Sequence, residues 1–502
     1  MPTLQKGRRL LVIADVGGAE RRHIGDEAML EANLAALRSL IPAVAFTVVS
    51  ADPAATVQRW GVDAVAPFGF SQDPAAEIER TAMLDRLLVE AASCIHQKSG
   101  GSADVNPTVA AVAHADGVVV SGGGNLSSTW PDLLYERIAL LSLARVFGKP
   151  AVVLGQTIGP KLRDDERRLL SEALQTTRFL GVRELPSALL ALELQVPAGI
   201  LWYQTDDALF LETSAEPPSF ATPRSGRPGH SIAVTIDPQI RAAGAALFDA
   251  LVSQLRELSR ETGAALVLVP HAFGNETANA PSDWTEAQLI AERLGRSQTV
   301  IAAGLDARQA KQFTVAADLV ISSRYHPLVF GLSAGVPSLG IFGDEYCRIK
   351  LTGALAHGNL DRWVVTYDDI RDGGLLSNAL ELWQKRAEVR GQLDKHFTTW
   401  RAEYDARWSR ILQALDSTTP LPTAETHIVF GRPASEMAPL LASAREARMH
   451  WLLRERESMA QATSSFARSG PRVAGNESEK DLNKTVSHYL TALRARVRRR
   501  KL

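Results

Sequence analysis

Short apolar runs alternating with amphipathic stretches constrain this chain more than any other feature. "LLVIAD", "AFTVVS", "DGVVVSGG" and "PAVVLGQ" read as buried strands. Between them "GDEAMLEANLAALRSL", "PDLLYERIALLSLARVFG" and "RDDERRLLSEALQTT" repeat their apolar residues at helical spacing and stop near glycine or polar residues. Parallel strands need a crossover connection, so this alternation predicts a parallel sheet with helices on both faces.

The pattern breaks at "TSAEPPSFATPRSGRPGH", rich in Pro, Ser and Gly, and restarts with "HSIAVTID", "AALVLVPH", "TVIAAG", "DLVISS" and "VPSLGIF". The expected organisation is a first Rossmann-like domain over residues 1–215, a linker over 216–229 and a second Rossmann-like domain over 230–375. A long helical segment, 376–416, is expected to pack back across both, and 417–502 forms a helical, partly flexible, basic extension. Length agrees, since single cores rarely exceed roughly 250–300 residues. Two doubly wound domains in tandem place ligands in the cleft at the C-terminal ends of their strands.

A formal net charge of −1 with 22% charged residues gives no overall electrostatic preference for nucleic acid. The two cysteines, Cys94 and Cys347, lack metal-ligand spacing, which fits a reducing cytoplasm. "RRLLVIADVGG" is too short in its apolar part for a signal core, and no run is long enough to span a membrane. The closing "RARVRRRKL" reads as a solvated helix end or as a contact with an acidic membrane surface, which would put the protein at the inner face.

The densest chemistry lies in "ADLVISSRYHPLVFGLSAGVPSLGIFGDE". A strand must end near Ser323, because Pro327 is tolerated only in the first turn of the helix that follows. Arg324 and His326 then sit at a helix N-terminus, where free N–H groups and the dipole favour an anion. Arginine supplies a planar fork for carboxylate or phosphate, and histidine a proton near neutrality. The plainer alternative has Ser323 capping the helix with both charged residues at the surface.

Other turns offer weaker signals. Gly122, Gly123 and Gly124 permit close backbone approach beside Asn125, Ser127 and Ser128, but match neither dinucleotide nor P-loop spacing. Asp26 opens a helix after the first strand, with Arg21, Arg22 and His23 either reaching the cleft or, more simply, exposed as loop charges. Arg183 follows a strand with Glu184 beside it, so a structural ion pair is the default reading. Asp206 and Asp207 are expected on a strand, pointing to opposite faces and unable to share a metal. His271 ends a strand facing the cleft, as a substrate contact or a plain loop histidine.

In order along the chain, "GDEAML", "SGGGNL", "VVLGQTIGP", "VRELPS" with "TDDALFL", and "ISSRYHPLVFGLSAGVPSLGI" resemble the polysaccharide pyruvyl transferase family. The resemblance runs from about residue 10 to about 345. It implies a GT-B-like fold with two Rossmann-like domains, and transfer of the pyruvate unit of phosphoenolpyruvate onto two hydroxyls of a sugar as a cyclic ketal. It further implies donor binding by Arg183, Arg324 and the adjoining Ser323, with His326 as acid or as an aid to phosphate departure. Analogy with GT-B enzymes puts the acceptor at Asp26, Gly122, Gly123, Gly124, Asn125 and His271. The acceptor would be a glycan, a glycolipid or a nucleotide-linked sugar, with no metal or redox cofactor. Tyr325 stands where the family often has leucine and Pro327 where a small residue is common. A nucleotide-sugar glycosyltransferase and a non-catalytic glycan-binding member are the alternatives.

Overall fold

A computed structural model describes residues 7–17, 22–96, 105–214, 229–273, 281–295, 299–302 and 304–416, with fragments near 428–445. The linker up to residue 228, Arg21, the Arg22 side chain and nearly all of the 417–502 extension lie outside the described residues.

The first lobe is built on strands β1 (Arg9–Ile13), β3 (Ala45–Val49), β4 (Asp63–Val65), β5 (Gly117–Val120), β6 (Gly123–Leu126), β7 (Ala151–Ile158), β8 (Phe179–Val182) and β9 (Leu201–Tyr203). They form one parallel sheet in the order β4-β3-β1-β5-β7-β8-β9, with β6 also paired to β7. Helices cover both faces, so the central strands carry no polar alternation; Val12, Val119 and Val152 are fully buried. The triple glycine was expected as a turn between a strand and the helix that begins at Pro131. Instead of a plain turn, Gly123–Leu126 forms β6, whose register against β7 shifts between Gly123 and Leu126; the helix starts at Pro131 as expected.

The second lobe repeats the plan with β10 (Ser231–Thr235), β11 (Ala265–Leu268), β13 (Thr299–Ile301), β14 (Leu319–Ser322), β15 (Ser338–Phe342) and β16 (Val364–Thr366), in the order β13-β11-β10-β14-β15-β16. Every pairing in this sheet is parallel. The fold is therefore two doubly wound α/β lobes of GT-B type, as expected.

Connections between the lobes include one strand pair and two helices. Strand β2 (Arg22–His23) pairs antiparallel with β12 (Ala272–Phe273), and Ile24 N–H donates to the His271 carbonyl at 3.0 Å. The helix Ile24–Leu40 leaves the first sheet yet buries Ile24, Ala28, Met29 and Ala32 in the core of the second lobe. The helix Arg386–Leu415, roughly 45 Å long at 1.5 Å per residue, crosses back over both lobes. Its Val389, Leu393 and Trp400 pack into the second core, and its Trp408, Ile411, Leu412 and Leu415 into the first. Among the described residues no helix is long and apolar enough to cross a membrane.

Candidate active site

Both sheets end at one cavity of about 100 Å³. From the second lobe it is lined by Arg324, Tyr325, His326, Lys350 and His271, and from the first by His23, Gly25, Asp26, Gly124 and Arg183.

The segment after β14 is held without a conventional helix cap. Ser322 Oγ accepts from Arg324 N–H (2.9 Å) and donates to the Arg324 carbonyl (2.8 Å). Arg324 occupies the N-cap in extended conformation, and the helix Tyr325–Ser333 follows with Pro327 in its first turn. Ser323 neither caps this helix nor lines the cavity; its hydroxyl accepts from the backbone N–H of Asp237 at 2.8 Å. Arg324 forks onto Asp283 through Nε and Nη2 (2.7–3.2 Å). That carboxylate is buried and also accepts from the N–H groups of His271 and Ala272. The Arg324 side chain remains 30% exposed, so one edge faces the cavity while the other is braced.

Arg183 is placed differently. It is 1% exposed. Nη1 donates to Asp206 (2.8 Å), Nη2 donates to Thr157 Oγ1 (2.6 Å) and the Gly123 carbonyl (3.1 Å), and Nε lies 3.6 Å from Glu184. Its guanidinium carbon lies 4.3 Å from the centre of the Tyr325 ring. Burial opposes the charge, but Tyr325, Glu184 and Asp206 together hold Arg183 firmly protonated. Its Nη donors are thus spent on the protein while Nε is buried without a hydrogen-bond partner, and it reaches the cavity as a strut rather than as an open fork.

His326 stands over Gly25. A Cβ at residue 25 would lie 1.7 Å from His326 Nδ1, so only glycine leaves room for the ring. Burial drives His326 down to about 3; Asp206 opposes this, while Arg183, Lys350 and His23 reinforce it. The imidazole is therefore neutral at neutral pH. Asp26, in the first turn of the neighbouring helix, moves the other way. Burial, then Asp15, pushes it up to about 7, against the pull of Lys350 and Arg183. A carboxyl poised there exchanges protons readily under ordinary conditions.

Of the four glycine-turn residues, only Gly124 lines the cavity, and its carbonyl accepts from Tyr346 Oη at 2.9 Å. Gly123 serves Arg183 through its carbonyl, Gly122 packs beside Asp207 and Met29, and Asn125 is buried. His271 is buried in the cavity wall with both ring nitrogens free of hydrogen-bond partners. Burial, then His326 and Arg324, hold it well below the usual histidine range.

Three features escape a reading by residue type. His23, expected as an exposed loop charge, lines the cavity because β2 is clamped to β12. Lys350 lies in the helix Glu345–Ala356 and has no carboxylate within 4 Å among the described residues. Its ammonium rests over the rings of Tyr346 (4.6 Å) and Tyr325 (5.6 Å). Asp206 and Asp207 lie beyond the end of β9, at the start of a 3-10 turn, Asp207–Phe210, rather than on a strand. They do separate: Asp206 turns to Arg183 and His326, while Asp207 takes Arg407 at 3.1 Å.

A model of the family described as polysaccharide pyruvyl transferase matches residues 23–341, a span that holds the cavity residues up to His326. The chain belongs to that family. No curated protein matches the sequence. Among solved structures, a putative UDP-N-acetylglucosamine 2-epimerase from Listeria monocytogenes is similar in fold, with a TM-score of 0.54 at 13% identity over 85% of this chain and 99% of that one. The S. aureus MnaA structure with UDP gives 0.52 at 11% identity over 83% and 100%. Within the family pattern, Tyr325 is no incidental change here, since its ring underlies Arg183 and reaches Lys350.

Proposed function

We propose that this family member transfers the pyruvate unit of phosphoenolpyruvate onto a diol of a sugar in a cell-surface glycan or its precursor, forming a cyclic ketal and releasing phosphate. The observation that carries this reading is the convergence of Arg324, Lys350, Asp26 and His326 on one cavity. Phosphoenolpyruvate holds a phosphate and a carboxylate close together. The exposed edge of Arg324 and the ammonium of Lys350, which donates a 3.4 Å hydrogen bond to Tyr346 Oη and has no carboxylate partner among the described residues, supply two separate cations to neutralise and orient them.

The chemistry needs one proton delivered and two removed. A proton added to the methylene carbon makes a methyl group and an electron-poor C2. One sugar hydroxyl attacks C2 and loses its proton, then phosphate departs with the C–O bonding pair. The second hydroxyl closes the ring and loses its proton. One released proton balances the one consumed, and the other leaves on phosphate. Asp26, half-protonated near pH 7, suits the donation. His326 starts neutral and so begins as an acceptor. A bound trianionic donor favours its protonated form, which prepares it to assist the leaving phosphate.

The test is incubation with phosphoenolpyruvate and a panel of glycosides, followed by mass spectrometry. A pyruvyl adduct with stoichiometric phosphate is expected. A nucleotide sugar that raises the melting temperature where phosphoenolpyruvate does not would replace this reading with glycosyl transfer.

A further inference from the structure

Lys311 lies on the helix Ala307–Val315 of the second lobe, is 4% exposed, and sends its ammonium to the segment that leaves β9 of the first lobe and packs Ala208, Leu209 and Leu211 into the second core. Nζ donates to the carbonyls of Leu211 (2.6 Å) and Leu209 (2.8 Å), with that of Ala208 at 3.5 Å. These carbonyls close the 3-10 turn that begins just after Asp206. The carboxylates on the elements packed around it have other partners. Glu27 takes Arg59, Glu31 takes Arg308 from Lys311's own helix, Asp207 takes Arg407, and Asp206 takes Arg183 and faces His326. Lys311 is thus a buried cation satisfied by carbonyl dipoles, with the Phe330 ring 5.8 Å away. Such a group is expensive to bury unless every donor is used. Burial pushes it down to about 7, opposed by Asp206.

We propose that Lys311 is a positioning residue that fastens the second lobe to the segment Asp206–Leu211, and so fixes Asp206 between Arg183 and His326. The proposal rests on the catalytic reading of that site, but its structural arm does not. Lys311→Met keeps the length of the side chain and removes the donors. In the folded variant, amides of residues 207–211 are expected to exchange with deuterium faster than in the wild type while the β-sheet amides do not. Turnover should fall roughly tenfold to a hundredfold, with KM for phosphoenolpyruvate little changed. Unchanged exchange at 207–211 in folded Lys311→Met overturns the proposal. Absence of wild-type turnover with phosphoenolpyruvate would instead overturn the donor assignment and leave the exchange result standing. A second measurement needs no variant. In wild-type protein with 13C-labelled lysine, one ε-carbon should titrate near pH 7, and the amides of Leu209 and Leu211 should shift with the same midpoint. Amides of Leu209 and Leu211 that follow the titration of no lysine would also overturn it.

Discussion

His326 Nε2 lies 3.7 Å from Asp206 Oδ1, and the other oxygen of that carboxylate accepts a 2.8 Å hydrogen bond from Arg183. The histidine belongs to the second lobe and its two companions to the first, so the cleft geometry and the charge balance of the site are one property. Among the described residues, Asp206 is the acidic group set between a buried cation and a part-buried imidazole.

Asp206→Asn is therefore expected to leave Arg183 buried without its hydrogen-bonded counter-charge. Removing one partner of a buried pair costs about 3–5 kcal/mol, which urea unfolding would register as a lowered midpoint. A change under about 1 kcal/mol would mean that Glu184, 3.6 Å from Nε, already balances the guanidinium.

Asp26 gives a pH dependence of definite sign. Its folded-state value, about 7, stands above its ordinary one. Between about 4 and 7 the folded protein holds a proton that the unfolded chain has released, so this group's contribution to stability falls as pH rises across that window. An anionic donor should likewise be favoured while Asp26 is neutral. The rise in melting temperature with phosphoenolpyruvate is expected to shrink more between pH 6 and 8 in the wild type than in Asp26→Asn. Equal pH dependence in the two proteins would place the relevant proton elsewhere.

Lys350→Met separates binding from folding. Lys350 has no carboxylate partner among the described residues, so its loss strands no buried anion. Stability should change by less than about 1 kcal/mol. Loss of one charge-assisted contact, roughly 1.5–3 kcal/mol, should weaken phosphoenolpyruvate binding about tenfold to a hundredfold. Calorimetric titration reads this directly, and an unchanged affinity would remove Lys350 from the donor site.

The two-lobed fold was legible because buried parallel strands must be short and apolar, and their crossovers must be helical. Arg324 and His326 were legible for a local reason: Pro327 fixes the start of a helix, and the chain direction places them at its cleft end. Other features depend on tertiary events that no local pattern carries. Lys350 sits mid-helix in "EYCRIKLTG" and meets the cavity only because Tyr346, one turn earlier, docks on the Gly124 carbonyl of the other lobe. His23 looked exposed because a two-residue strand leaves no periodic trace. Arg183 was recognisable as a residue of the site, but whether its donors face a ligand or the protein is settled by Asp206, 23 residues away in sequence.

Gly25→Ala tests whether the placement of His326 matters apart from its presence. The helix can accept alanine at residue 25, yet the new methyl would stand 1.7 Å from Nδ1, so the imidazole must swing away. Overpacking of this kind costs typically about 1–3 kcal/mol, and thermal melting should show it. Turnover should approach that of His326→Gln, a loss of ~10²–10⁴-fold if the imidazole handles a proton in the rate-limiting step. Phosphoenolpyruvate should still stabilise both variants through Arg324 and Lys350. The two also differ from each other in acid. His326 is held near 3, below its ordinary value, so between about 6.5 and 3 the unfolded chain takes up a proton that the folded one refuses. Stability from this group is lost as pH falls through that window. His326→Gln abolishes that loss, whereas Gly25→Ala, with the ring displaced toward solvent, should only reduce it. Full turnover in Gly25→Ala would show that the ring can leave its seat without consequence, and the proton-handling role would then pass to Asp26.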